Sequence, residues 1–193
     1  MNTPLSEADV RNLKVGDTVY LSGTIYIARD EAHLRALELY DSSQELPVDF
    51  HGGVIFHCGP IVCKEDNKIL AAGPTTSARM NSMEPRFIEL SGVRAIVGKG
   101  GMSQATVDAM KKCGCVYLAF TGGAAVLAAQ GLEVVEDVFW LDLGMPEALW
   151  VVKANNFGPL VVAIDAWGNS LYEEVSKNIE KNMQKSKKIL GLD

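Results

Sequence analysis

Between Val93 and Gln130 the chain reads strand, helix, strand, helix, and this run constrains the fold more than any other feature. Val93–Val97 is apolar and β-branched, as a buried strand is. Ser103 is placed to cap a helix running to Cys113, and Gly114 is placed to end it in a left-handed conformation. Cys115–Phe120 reads as a second apolar strand and Gly123–Gln130 as a helix of small residues. Strands joined through a helix pair in parallel, so a βαβα unit with a parallel core is expected.

The flanking segments predict a mixed sheet around that unit. Val15–Gly16–Asp17 is a turn, and Thr18–Ala28 alternates like a strand, with Gly23 marking a bulge or a close backbone approach. Asp30 is placed to cap a helix over Glu31–Tyr40, where Leu34, Leu37 and Tyr40 fall at helical spacing. Gly53–His57 reads as a strand. Ile61–Cys63 and Ile69–Ala72 read as two more around the turn Glu65–Asp66–Asn67. A loop over Gly73–Met80 and a short helix over Pro85–Ser91 follow. Val134–Leu141, Leu149–Lys153 and Leu160–Ala166 are further strands, and Ser170–Leu190 is a long helix rich in Lys and Glu. The early and late strands read as antiparallel. The fold class is α/β: one compact β/β/α domain over residues 1–193, rather than a doubly wound nucleotide fold.

Composition narrows the function. With 193 residues, 48% of them hydrophobic, the chain suits one domain with a sizeable core. A net charge of -6 gives no basic face for nucleic acid. The longest apolar runs, Ala124–Ala129 and Leu160–Ile164, fall far short of the roughly 18 residues of a membrane span. The N-terminus has neither a basic start nor an apolar h-region, so the expected location is the cytoplasm. Cys58, Cys63, Cys113 and Cys115 are spaced C-x4-C and C-x-C, which is no standard zinc pattern; small buried thiols in strands are the simpler reading.

Three cationic features remain. VGKGGMS (Val97–Ser103) lacks the Ser or Thr after Lys99 that a Walker motif needs, and ends in Ser103 where a dinucleotide fingerprint needs Gly or Ala. It still delivers Lys99 into a glycine-rich turn at a helix start, where an anion is favoured; a solvated Lys on a tight turn is the plainer alternative. GPTTSARM (Gly73–Met80) presents Thr75, Thr76 and Ser77 close to Arg79, which suits an oxyanion or, more plainly, a hydroxyl-rich cap. Arg29 ends the first strand beside Asp30, with a local ion pair as the plain reading. His33 reads as an exposed helix residue or a group behind the site, and His57 as packing. Arg29, Arg79 and Lys99 are three cations at element ends of an acidic chain, the set a dicarboxylate needs. No Ser-His-Asp arrangement accompanies them.

The ordered blocks SGTIYIARDEAH (Ser22–His33), HCGP (His57–Pro60), GPTTSARM, GKGGM (Gly98–Met102), GMPEALW (Gly144–Trp150) and AIDAWGNSLY (Ala163–Tyr172) resemble the β subunit of class I iron–sulfur fumarases. They are similar also to the C-terminal domain of the single-chain enzymes and to the L-tartrate dehydratase β subunit. The resemblance covers about Leu13 to Tyr172, with residues 173–193 as a C-terminal helix. It implies a swivelling β/β/α domain and reversible hydration of fumarate to L-malate. It also implies a 4Fe-4S cluster ligated by the large (α) partner subunit, none bound by this chain, whose open iron acts as a Lewis acid. By motif, Arg29, Arg79 and Lys99 would bind the small dicarboxylate, and Thr75, with Lys99 beside it, would act at the C3 proton. A dimer of heterodimers with an apolar partner-facing surface is expected. IYIARDEAH, Ala78 and TGGAAVLAA lean toward fumarase, with mesaconate as a related substrate; L-tartrate dehydratase is the alternative. A non-catalytic anion-binding or scaffold subunit is the alternative of another class.

Overall fold

The computed structural model describes residues 1–63, 65 and 67–192, without the side chain of Gln184. Lys64, Asp66 and Asp193 lie outside the described residues, and with them the middle of the turn expected at Glu65–Asp66–Asn67.

In chain order the elements are α1 (Glu7–Arg11), β1 (Thr18–Ile27), α2 (Asp30–Asp41), β2 (Val54–Phe56), β3 (Ile61–Val62), β4 (Ile69–Ala71), α3 (Glu84–Ser91), β5 (Ala95–Gly98), α4 (Gln104–Cys113), β6 (Val116–Ala119), α5 (Ala125–Gln130), β7 (Leu132–Phe139), β8 (Leu149–Ile164) and α6 (Leu171–Leu190). Short 3₁₀ turns cover Ser77–Met80, Gly122–Ala124 and Leu141–Leu143. This is the mixed α/β domain expected, and the β5–α4–β6 unit is parallel as its sequence predicts. Ser103 caps α4 by accepting the Thr106 N–H, and Gly114 ends it at φ 69°, where a side chain would be strained.

The sheet closes on itself. β1, β2, β5 and β6 run in parallel, β6 pairs antiparallel with β8, and β8 returns antiparallel along β1 from Thr18↔Val161 to Ile27↔Trp150. β7 extends the sheet from the first half of β8, and β3 with β4 forms a separate antiparallel pair. Strand alternation sorts the core into two layers. Leu21, Ile25, Ile27, Val54, Phe56, Val97, Leu118 and Val152 fill the ring. Ile55, Ile96 and Tyr117 point the other way, against Ala32 and Ala36 of α2, Phe87 and Ile88 of α3 and Met110 of α4. Each Val, Leu, Ile, Phe or Met among them contributes about 1.5–3 kcal/mol by leaving water.

Four readings of the sequence are corrected. β1 and β2 are parallel, because α2 carries the chain back across the sheet before β2 begins. The two strands expected at Leu149–Lys153 and Leu160–Ala166 are one: Phe157 is buried opposite Leu21 in the ring, while Asn156, at φ 53°, turns its N–H to the Ser22 hydroxyl. Asp30 lies inside the first turn of α2 rather than at its cap, which is Arg29. α1 is an element beyond those expected, although Ser6 and Asp9 form a reciprocal capping box at its start. No helix among the described residues is long and apolar enough to cross a membrane.

Gly98 ends β5 where no side chain fits, since an added Cβ would stand 1.9 Å from Ser77 Oγ and 3.0 Å from the Tyr117 hydroxyl. Gly123 has nothing within 4 Å of the same position. Gly98→Ala is therefore expected to lose about 1–3 kcal/mol in urea unfolding, as overpacking does. Gly123→Ala should stay within about 0.5 kcal/mol of the parent.

Candidate active site

Parallel strands deliver their C-terminal ends to one edge of a sheet, the usual place for a ligand in α/β folds. Arg29 follows β1, His57 follows β2, and Lys99 follows β5 at that edge. The Gly73–Met80 segment is laid across these ends. Pro74 forms a β-bridge with Cys58, the Thr75 N–H donates to the His57 carbonyl at 2.6 Å, Thr76 bridges Lys99 in parallel, and the Ser77 N–H donates to the Lys99 carbonyl at 3.0 Å. Thr75 and Lys99, far apart in sequence, thus lie on adjoining backbone.

The arginines meet through acids. Asp30 accepts from Arg79 Nε at 2.9 Å on one oxygen and from Arg29 Nε at 3.2 Å on the other. Glu147, from the GMPEALW block, stands 2.8 Å from Arg29 Nε. Burial alone would raise the Asp30 carboxyl; its own helix-start N–H and the two arginines, Arg79 foremost, outweigh that and hold it below the ordinary range. Arg29 is largely buried, whereas Arg79 is half exposed at 53%. The Arg29–Asp30 pair of the plain reading is real, and it forms one link of a longer chain that joins Arg29 to Arg79. The structure therefore brings Arg29 and Arg79 together through Asp30, and Thr75 and Lys99 together through backbone pairing. The Cys58–Pro74 bridge and Gly59, where an added Cβ would stand 3.1 Å from Arg29 Nη1, join the two halves.

Behind this edge lies a polar cluster with no exposure. His57 Nδ1 is 2.9 Å from Ser77 Oγ, which accepts from the Tyr117 hydroxyl at 3.0 Å. His57 Nε2 is 3.1 Å and His33 Nε2 3.5 Å from the same oxygen of Glu84. Burial pushes His33 down, against the pull of Glu84, and pushes the Tyr117 hydroxyl up. Burial also raises Glu84, but His57 and His33 outweigh it and hold the carboxyl below its ordinary range. His33 is thus buried behind the site rather than exposed, and His57 does more than fill space. Glu84 escapes a reading of the sequence because a lone Glu at a helix start looks solvated; the two histidines are its signal.

Of the four cysteines, Cys63 and Cys113 are partly exposed. Cys58 and Cys115 are buried, and burial pushes the Cys58 thiol up to about 12 despite nearby Arg29. Among the described residues, the one group of three His, Cys, Asp or Glu with ligand atoms mutually within 4.8 Å is His33, His57 and Glu84, and it contains no thiol.

Comparison with known proteins agrees with the arrangement of motifs. Residues 1–175 match the family described as Fumarase C-terminus. A Methanocaldococcus jannaschii chain provisionally named L(+)-tartrate dehydratase subunit beta is 49% identical over 191 residues, 97% of this chain and 96% of the relative. The L(+)-tartrate dehydratase subunit beta of Escherichia coli strain K12 is 45% identical over 179 residues, 92% of this chain and 88% of its own length. A Geobacillus stearothermophilus protein provisionally named class I fumarate hydratase is 42% identical over 188 residues, 95% of this chain but 35% of the relative. The chain belongs to the Fumarase C-terminus family.

Proposed function

We propose that this chain is the β subunit of a two-chain hydro-lyase and that the enzyme dehydrates L-tartrate. The observation that carries the reading is that chains named L(+)-tartrate dehydratase subunit beta align over 92–97% of this chain at 45–49% identity, upon a fold that gathers Arg29, Thr75, Arg79 and Lys99 at one strand edge. The sequence lean toward fumarase is not carried by these relatives. Fumarate hydration stands second, supported by the class I relative, of which this chain covers one part. A purely scaffolding subunit would not need the arginines tied into one ion-pair chain.

Each residue has a task that its chemistry suits. Arg29 and Arg79 are held at Nε by Asp30 and Glu147, so each planar fork can still offer its Nη pair to a substrate carboxylate. Lys99 adds a point charge beside Thr75. In the dehydration a C–H proton leaves one carbon and the hydroxyl leaves its neighbour, so a base must stand at the first. Thr75 is the group proposed there, with Lys99 lowering the cost of losing its proton. The large partner subunit is proposed to hold the 4Fe-4S cluster, whose share of the chemistry is Lewis-acid assistance to the departing hydroxyl. On α6, Val175, Ile179, Met183, Ile189 and Leu190 are exposed, and such apolar area supports a partner surface.

The anaerobically co-purified pair of subunits is expected to consume L-tartrate faster than it hydrates fumarate, measured on both acids in parallel; the reverse ranking would favour the second reading. Treated alone with iron and sulfide, the β chain should stay colourless, and stoichiometric iron in it would overturn the assignment of the cluster to the partner. In the assembled enzyme Thr75→Ala should lower kcat by about 10²–10⁴-fold with little change in KM, as loss of a proton-transfer group does. Arg79→Ala should instead raise KM, because it strands a substrate carboxylate at a cost of about 2–5 kcal/mol.

A further inference from the structure

The Glu84 cluster is not used by the chemistry above, yet it touches the backbone of every segment that carries a site residue. His33 Nδ1 lies 2.9 Å from the Arg29 carbonyl. The His57 carbonyl holds the Thr75 N–H, the His57 ring meets Ser77 Oγ, and the Ser77 N–H holds the Lys99 carbonyl. Ser77 also opens the 3₁₀ turn that contains Arg79. The trio of Ser77, His57 and Glu84 has the residue types of a nucleophile relay, but all three are at 0% exposure, so no substrate carbonyl reaches the hydroxyl. Their task is to hold other residues.

Counting protons shows how. A carbonyl only accepts, so His33 Nδ1 carries a hydrogen toward Arg29. Tyr117 donates to Ser77 Oγ, Ser77 Oγ–H is then the donor to His57 Nδ1, and His57 Nε2–H faces Glu84 at 3.1 Å. That leaves His33 Nε2 facing the same carboxylate at 3.5 Å. A neutral His33 would set a lone pair against an anion in a dry interior, which is costly. One proton shared between His33 and Glu84 removes the conflict and leaves the cluster without net charge. A divalent cation is the weaker answer: the cluster offers three ligand side chains, and a closed buried site takes four.

We propose that Glu84 is a positioning residue of the site, a buried carboxylate that fixes His57 and Ser77 and so sets Thr75 against Lys99, an inference that rests on the hydro-lyase reading for its kinetic part. Arg29 and Arg79 keep their own anchors on Asp30 and Glu147. Loss of Glu84 therefore disturbs the proton-transfer pair more than the carboxylate clamp. The test uses the full chain labelled with ¹⁵N-histidine and the assembled enzyme. The chain has three histidines, and exposed His51 serves as the internal control. The expected spectrum holds three slowly exchanging ring N–H signals, His33 Nδ1–H, His57 Nε2–H and the shared proton at His33 Nε2. Glu84→Gln should stay folded, shift the His57 signal, and lower kcat on the order of 10²-fold, the effect of a roughly 1 Å misplacement, with KM moving far less. Ser77→Ala should act in the same direction, so the test survives if Glu84→Gln fails to fold. A folded Glu84→Gln enzyme with unchanged kcat, a His57 ring without Nε2–H, or stoichiometric zinc in the purified chain would each overturn the proposal. If the parent enzyme turns over neither acid, the hydro-lyase reading falls, and the histidine spectrum alone decides the Glu84 network.

Discussion

The return of β8 along β1 is the constraint on which the rest depends. Without it the four parallel strands β1, β2, β5 and β6 would form a short open sheet, with β2 only three residues long and β5 and β6 four each. Strands that short cannot fix their own ends. A sixteen-residue antiparallel partner, paired with β1 from Thr18 to Ile27 and with β6 from Tyr117 to Ala119, closes the ring around Phe56, Leu118 and Phe157. Closure also removes the free edges that such strands would present. The carboxyl ends of the parallel strands then have one fixed position, and the Arg29, His57 and Lys99 backbones inherit it.

What the sequence displays depends on the range of the interaction involved. The α4 cap at Ser103, the stop at Gly114 and the apolar run Val54–Phe56 act over a few residues, and they read correctly. Ring closure acts over more than a hundred residues and leaves no local mark; Asn155, Asn156 and Gly158–Pro159 even look like a break. They are accommodated because Phe157 between them is buried. The candidate site shows the same division. Arg29, Thr75, Arg79 and Lys99 stand out as cations and hydroxyls at element ends, while Asp30 passes for a cap because its partner Arg79 is forty-nine positions away.

The two supports of the site differ in kind. Asp30 and Glu147 hold the arginines at a partly exposed rim, where solvent screens the pairs and each contributes little to stability. Their value is directional: a guanidinium fixed at Nε has a defined remaining edge. Glu84 works where no solvent screens it, so an unmatched proton there is costly. The rim is screened by solvent; the interior is not.

That contrast explains why Gly98 stands where it does. Lys99 must leave β5 directly over Ser77, whose hydroxyl already accepts from Tyr117 and lies within hydrogen-bond distance of His57. Any Cβ at position 98 would occupy the space of that hydroxyl. The close approach therefore joins the interior network to the strand that carries Lys99, and the GKGG block reads differently in its light. Its first glycine makes room for Ser77, while its third, Gly101, opens toward Tyr172. A pattern that resembles a phosphate loop in sequence is, in this fold, the place where a buried hydroxyl and a charged strand end are brought into register.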